Sequence, residues 1–214
     1  MSQTTIPRVA VRGTASGVIF MAFFGNLWAG IGIRGMQGWE FPVLIILSLL
    51  IGVILLISAI ALIKNSRQLT NEVIKKDGDR WRKKNRWFGI IFILEGLFIA
   101  IAAYICVSTN HLNLFVPIMA FIVGAHFFPL ASLFQVPIYY ITGTLLCLLA
   151  TIVILTFPVK IIINDHQVMA WWVSVGFGSA LILWGSGVIV CLRGFRLLSM
   201  VHNGAENNKV STRL

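Results

Sequence analysis

Six uninterrupted apolar segments, each about as long as a bilayer is thick, fill most of this 214-residue chain. A helix needs roughly 20 apolar residues to cross a hydrocarbon core of about 30 Å. Only helices and closed barrels satisfy their backbone polar groups in that medium. The segments cover residues 13–33, 41–63, 88–107, 114–134, 138–157 and 169–192. They predict an all-α bundle of six transmembrane helices forming one domain over residues 1–198, with a polar cytoplasmic tail at 199–214 that carries no capping signal. Charged residues make up 11% of the chain and hydrophobic ones 58%. Soluble domains average about 25% and 45 to 50%, so a soluble core could not absorb this much apolar surface.

The net charge of +10 is distributed in a way that points to topology. Of the 17 Lys and Arg, all but Arg34 and Lys160 lie in the N-terminal tail, in the connection after the second span, or in the C-terminal tail. With an even number of spans these three segments share one side, and the positive-inside rule makes it cytoplasmic. Both termini are expected inside, and no nucleic-acid partner is needed to explain the charge. The first segment follows Arg8 and Arg12 as a signal sequence would. It is longer than the usual h-region of roughly 7 to 15 residues, so it reads as an uncleaved span.

Residues 64–87 form the one long connection, with nine Lys or Arg against Glu72, Asp77 and Asp79. Its end, Arg80, Trp81, Arg82, Lys83, Lys84, Asn85, Arg86 and Trp87, abuts the third span. Tryptophans at headgroup level and cations facing anionic lipid are the expected arrangement. Gln135, Val136 and Pro137 are a connection so short that spans four and five must form an antiparallel hairpin. Pro129 inside span four removes the bond to the Ala125 carbonyl and predicts a kink. Tyr139 and Tyr140 mark one interface, Trp171 and Trp172 the other. Glycines, alanines and serines gather on spans one and six, where small side chains let backbones approach. Those spans are expected at the centre of the bundle, packed against neighbours or across a homo-oligomer.

Little in the chain can carry chemistry. Glu95 is the only acidic residue well inside a span, about 10 Å along its helix at 1.5 Å per residue. His126 in the antiparallel fourth span lies about 12 Å from the same face, so the two depths nearly match. An ionisable group at mid-membrane is expensive and usually faces a partner or a wet cavity. Three outcomes stay open: a dry carboxyl and imidazole that tie two helices, a wet pair that relays protons, or two groups that do not meet. Asn26 in span one is a possible third member. No H-E-x-x-H, G-x-x-x-x-G-K-[ST] or G-x-S-x-G motif is present, nor the second intramembrane carboxylate an aspartyl-type protease would need. Cys106, Cys147 and Cys191 match no zinc spacing. His111, His166 and His202 give no metal set with His126. No cofactor is expected.

The run Gly124-Ala125-His126-Phe127-Phe128-Pro129-Leu130-Ala131, then Phe134, Pro137, Tyr139, Tyr140, Thr142 and Gly143, resembles a segment of a family of small polytopic bacterial membrane proteins of unknown function. The resemblance spans about 20 residues. It implies a shared hairpin around His126 and Pro129 and a bacterial cytoplasmic membrane, and supplies no activity or substrate. The leading expectation is a multi-pass membrane protein that moves or senses a small solute or proton at Glu95, His126 and Asn26. A scaffold or accessory subunit is the alternative, and an intramembrane lipid-modifying enzyme the least supported.

Overall fold

The computed structural model describes residues 8–37, 42–66, 75–163 and 166–211, apart from the side chains of 8–10, 12, 75–81 and 200–211. Among the described residues the chain is all-α but for one short hairpin. Six helices are long and apolar enough to cross a membrane: α1 (Arg8–Gly35), α2 (Pro42–Ser66), α3 (Lys75–Ser108), α4 (Phe115–Phe134), α5 (Ile138–Thr156) and α6 (Ala170–Ser211).

Helices α1, α2, α3 and α6 outrun their apolar segments. Residues 75–87, expected as connection, are the first turns of α3, and α6 stays helical to Ser211 where a tail without structure was expected. Hydropathy reports the width of the apolar window, whereas Lys, Arg and Glu are good helix formers and let a helix run on past it.

The bundle is built on the antiparallel pair α1 and α6, which make the most extensive contact of any two elements. Partners descend along one helix as they ascend along the other: Gly35 meets Trp172, Gly32 meets Phe177, Gly25 meets Trp184 and Gly17 lies near Val190. A β-carbon on Gly176 would collide with the backbone of Gly32 and the carbonyl of Trp28. The small residues of both helices are therefore largely consumed within the chain, where they let the two backbones approach. Gly30 and Gly185 alone among those glycines face open space.

The other helices clad this pair unequally. α2 packs on α1 and α6, α4 and α5 form the expected hairpin against α6, and α3 rests mainly on α4. Of the spanning part of α6, 56% is buried, against 17% for α2 and 11% for α3. α3 buries a single seam, with Phe88, Ile91, Glu95, Ile99, Ala102 and Cys106 at least half-covered. Their spacing of three and four residues is the stripe one helix face presents to one neighbour. α4 runs unbroken through Pro129 and ends at Gln135, which takes a left-handed conformation (φ 56°).

At the end of the bundle opposite Arg8 and Ser211, β1 (Ile161–Ile163) pairs antiparallel with β2 (His166–Val168), in the register Ile161 to Val168 and Ile163 to His166. The strands were not expected from hydropathy. They bridge α5 to α6, and the junction is held by Trp171 Nε1–H donating to the Phe157 carbonyl at 2.9 Å. Met169 N–H donates to the Gly35 carbonyl at 2.8 Å, tying the start of α6 to the end of α1.

Candidate functional site

Glu95 sits on the one buried seam of α3, and His126 on the face of α4 that the seam covers. Glu95 is 9% exposed and His126 7%. Glu95 Oε1 lies 3.3 Å from His126 Nδ1. The matched depths read from the sequence therefore end in contact.

The hydrogen bonds define the imidazole further. His126 Nδ1 lies 2.7 Å from the Val123 carbonyl oxygen, one turn back on the same helix. A carbonyl oxygen only accepts, so Nδ1 carries the hydrogen and Nε2 of the neutral ring is left as an acceptor. Nε2 is buried and has no hydrogen-bond partner among the described residues. The Glu95 carboxyl thus flanks the protonated side of the ring, and the unprotonated side is bare. Aromatic rings close the surroundings. Phe127 lies beside the imidazole, with ring centroids 4.8 Å apart, and meets Tyr139 of α5 edge-on at 5.7 Å. Phe92, one turn before Glu95, meets Phe20 of α1 edge-on at 6.0 Å.

Asn26 does not join this pair, which corrects the expectation of a three-residue cluster. Its carboxamide lies against Gly52 of α2, in space that only a residue without a side chain leaves free. Oδ1 is buried without a partner among the described residues. The cause is helical phase. α1 approaches α3 through Phe20, and six residues further on, at about 100° per residue, Asn26 points roughly 120° away from that direction.

Among the cations expected at headgroup level, Arg82, Lys83, Arg86 and half-exposed Trp87 stand on the surface of α3, with Lys84 partly covered. The side chains of Arg80 and Trp81 lie outside the described residues. No group of three His, Cys, Asp or Glu is placed to hold a metal among the described residues.

Two polar features were not anticipated. Thr142 of α5 and Ser186 of α6 join across the helix interface, with hydroxyl oxygens 2.6 Å apart, both buried. Thr142 also donates to the Ile138 carbonyl at 3.0 Å, so the Ser186 O–H is the donor between the two hydroxyls. Trp184, 7% exposed, fits against Gly25 with its indole N–H buried and unpartnered among the described residues. Trp184, like Trp28, lies well inside an apolar segment and not at its end.

No protein-family model, curated protein or solved structure matches the chain. The chemistry of the site therefore has to be taken from its own residues.

Proposed function

We propose that this is a multi-pass membrane protein, with both termini cytoplasmic, that moves or senses a proton or small solute at the Glu95 and His126 pair. The membrane part is supported by six apolar helices and by the surfaces of α2 and α3, where Ile46, Ile57, Ile93 and Phe98 are more than half exposed. Hydrocarbon is the solvent in which such surfaces are stable. The one-sided Lys and Arg support the orientation, and the hairpin resemblance supports a bacterial cytoplasmic membrane. In this setting Arg82, Lys83, Arg86 and Trp87 meet anionic headgroups.

The observation that carries the functional part is the bare Nε2 of His126 beside a buried carboxyl. The nitrogen can accept a proton, and Glu95 at 3.3 Å compensates the imidazolium that forms. With Glu95 ionised, the proton-loaded pair is net neutral and the proton-free pair keeps one charge in an apolar surround, which on insertion scales costs about 2.5 to 3.5 kcal/mol and so favours loading.

The test is proton flux into proteoliposomes carrying an internal pH-sensitive dye. Wild-type protein should move protons faster than empty vesicles, and Glu95→Gln and His126→Gln should each return the rate to that background. Equal rates in all three would remove the reading.

One observation favours the alternative of a scaffold or accessory subunit. Two cavities, of about 810 Å³ and 320 Å³, lie at the far end of the bundle, and neither is lined by Glu95 or His126. In that reading the pair ties α3, which has little other burial, to α4.

A further inference from the structure

Arg34 and Lys160 are the two cations that break the one-sided charge pattern, and both line the same cavity. It measures about 810 Å³ and opens at the end of the bundle where α1 stops and α6 begins. Arg34 and Gln37 come from the end of α1, Asn113 from the 3₁₀ turn before α4, Lys160 from the segment leading into β1, and Met169 and Trp172 from the start of α6.

From this convergence we infer a binding site for a small anionic group, a phosphate or carboxylate attached to an apolar body, held by Arg34 and Lys160. The inference does not rest on the Glu95 and His126 reading. Among the described residues the lining has two cations and no carboxylate. Among the described residues neither cation has an acidic partner. Two like charges in one cleft repel, and apolar walls strengthen the field they project, so the site favours an anion. A guanidinium presents a planar fork matched to phosphate or carboxylate, and an ammonium adds a point charge. Gln37 and Asn113 supply amides for neighbouring hydroxyl or carbonyl groups. Met169 and Trp172 offer the apolar surface. The volume falls in the range of about 300 to 1,000 Å³ usual for small-molecule sites.

Two further observations mark the cavity as built into the fold. A β-carbon on Gly30, which lines it, would face open space. Its rim is pinned by the Met169 to Gly35 backbone bond at 2.8 Å. The anion has two sources with the same chemistry, the headgroup of an anionic phospholipid or a free solute.

Full-length protein in phosphatidylcholine nanodiscs would be titrated calorimetrically with inorganic phosphate. In parallel, retention of phosphatidylglycerol from a mixed bilayer would be followed by native mass spectrometry. Wild-type protein should bind at least one probe. Arg34→Gln with Lys160→Gln should weaken binding about a hundredfold, roughly tenfold for each charge-assisted contact. Arg193→Gln with Arg196→Gln, exposed towards the other end of α6, should change it less than about twofold. Phosphate binding assigns the site to a free solute, and phosphatidylglycerol retention without phosphate binding assigns it to a lipid. If the double variant does not fold, Gly30→Leu fills the cavity with both cations intact and should block the same probe. Failure of folded wild-type protein to bind either probe would overturn the inference. Undiminished binding in whichever cleft variant folds would do the same, as would an equal loss in the Arg193 and Arg196 control.

Discussion

Gly124 of α4 and Gly143 of α5 face each other where the hairpin helices cross. A β-carbon on Gly143 would stand 2.6 Å from the Gly124 carbonyl oxygen, and one on Gly124 would stand 2.9 Å from that of Gly143. The obstacle on each side is backbone, which cannot rotate out of the way. This contact fixes α4 against α5 and so fixes the face on which α4 presents His126 to α3.

Gly124→Ala or Gly143→Ala should therefore destabilise the protein by about 1 to 3 kcal/mol, the usual cost of overpacking. Gly96→Ala on α3, where nothing lies within 4 Å of the new carbon, should be neutral or stabilising by up to about 1 kcal/mol through helix propensity. Unfolding in mixed detergent micelles reads both, and equal effects at the two kinds of site would show that the crossing is looser than described.

The contact between Asn26 and Gly52 predicts a coupled pair. Gly52→Ala alone should cost about 1 to 3 kcal/mol, because the new methyl group occupies the carboxamide's place. Asn26→Ala alone should cost little, since it removes a buried oxygen that has no partner among the described residues. In the Asn26→Ala background Gly52→Ala should become nearly neutral, giving a coupling energy of about 1 kcal/mol or more in a double-mutant cycle. Strict additivity would place Asn26 elsewhere.

The same residue shows where sequence reasoning stops. Depth along a span follows from counting at 1.5 Å per residue, which was enough to bring Glu95 and His126 together. Rotation about the helix axis does not follow from it, because α1 is apolar on several faces and its neighbours are set by tertiary packing. Asn26, a possible third member of the pair by depth alone, therefore faces Gly52 of α2 instead. The polar extensions of α1, α3 and α6 were hidden for another reason, hydropathy being blind to a helix that continues into charged residues. The pairing of 161–163 with 166–168 carried little signal, because three isoleucines face His166, Gln167 and Val168, a stretch too short and polar to read as a strand.

The hydroxyl bridge between Thr142 and Ser186 should resist substitution of either partner alone. Thr142→Val keeps the volume and leaves the Ser186 hydroxyl buried without its acceptor, for a loss of about 0.6 to 1.7 kcal/mol. Thr142→Val with Ser186→Ala should cost less than the two single losses added, because no orphan group is left behind. Thermal unfolding of the four proteins measures this, and a fully additive double variant would mean that the hydroxyls do not share a bond.

Orientation can be read with impermeant thiol reagents on cells, in a background with Cys106, Cys147 and Cys191 replaced. Lys160→Cys should react from outside in intact cells, and Lys83→Cys only after the membrane is opened. Asn26→Cys, in the packed interface with α2, should stay protected in both conditions. Reaction of Lys83→Cys in intact cells would invert the proposed topology.

Gln135 offers a gain of stability. It holds the left-handed conformation at the end of α4 (φ 56°), which costs a residue with a β-carbon on the order of 1 to 2 kcal/mol relative to the right-handed form. Glycine has no such penalty and is the usual residue at this position of a helix end. The following Val136 N–H already donates to the Ala131 carbonyl at 3.2 Å, so the reversal into Pro137 and α5 is set by backbone bonds that a change at Gln135 leaves intact. Gln135→Gly should therefore raise stability by about 0.5 to 1 kcal/mol, once the greater freedom of glycine in the unfolded chain is deducted. Gln135→Val, with a branched β-carbon in the same conformation, should lower it. The opposite ranking in thermal unfolding would mean that the hairpin is held by the Gln135 side chain and not by the path of its backbone.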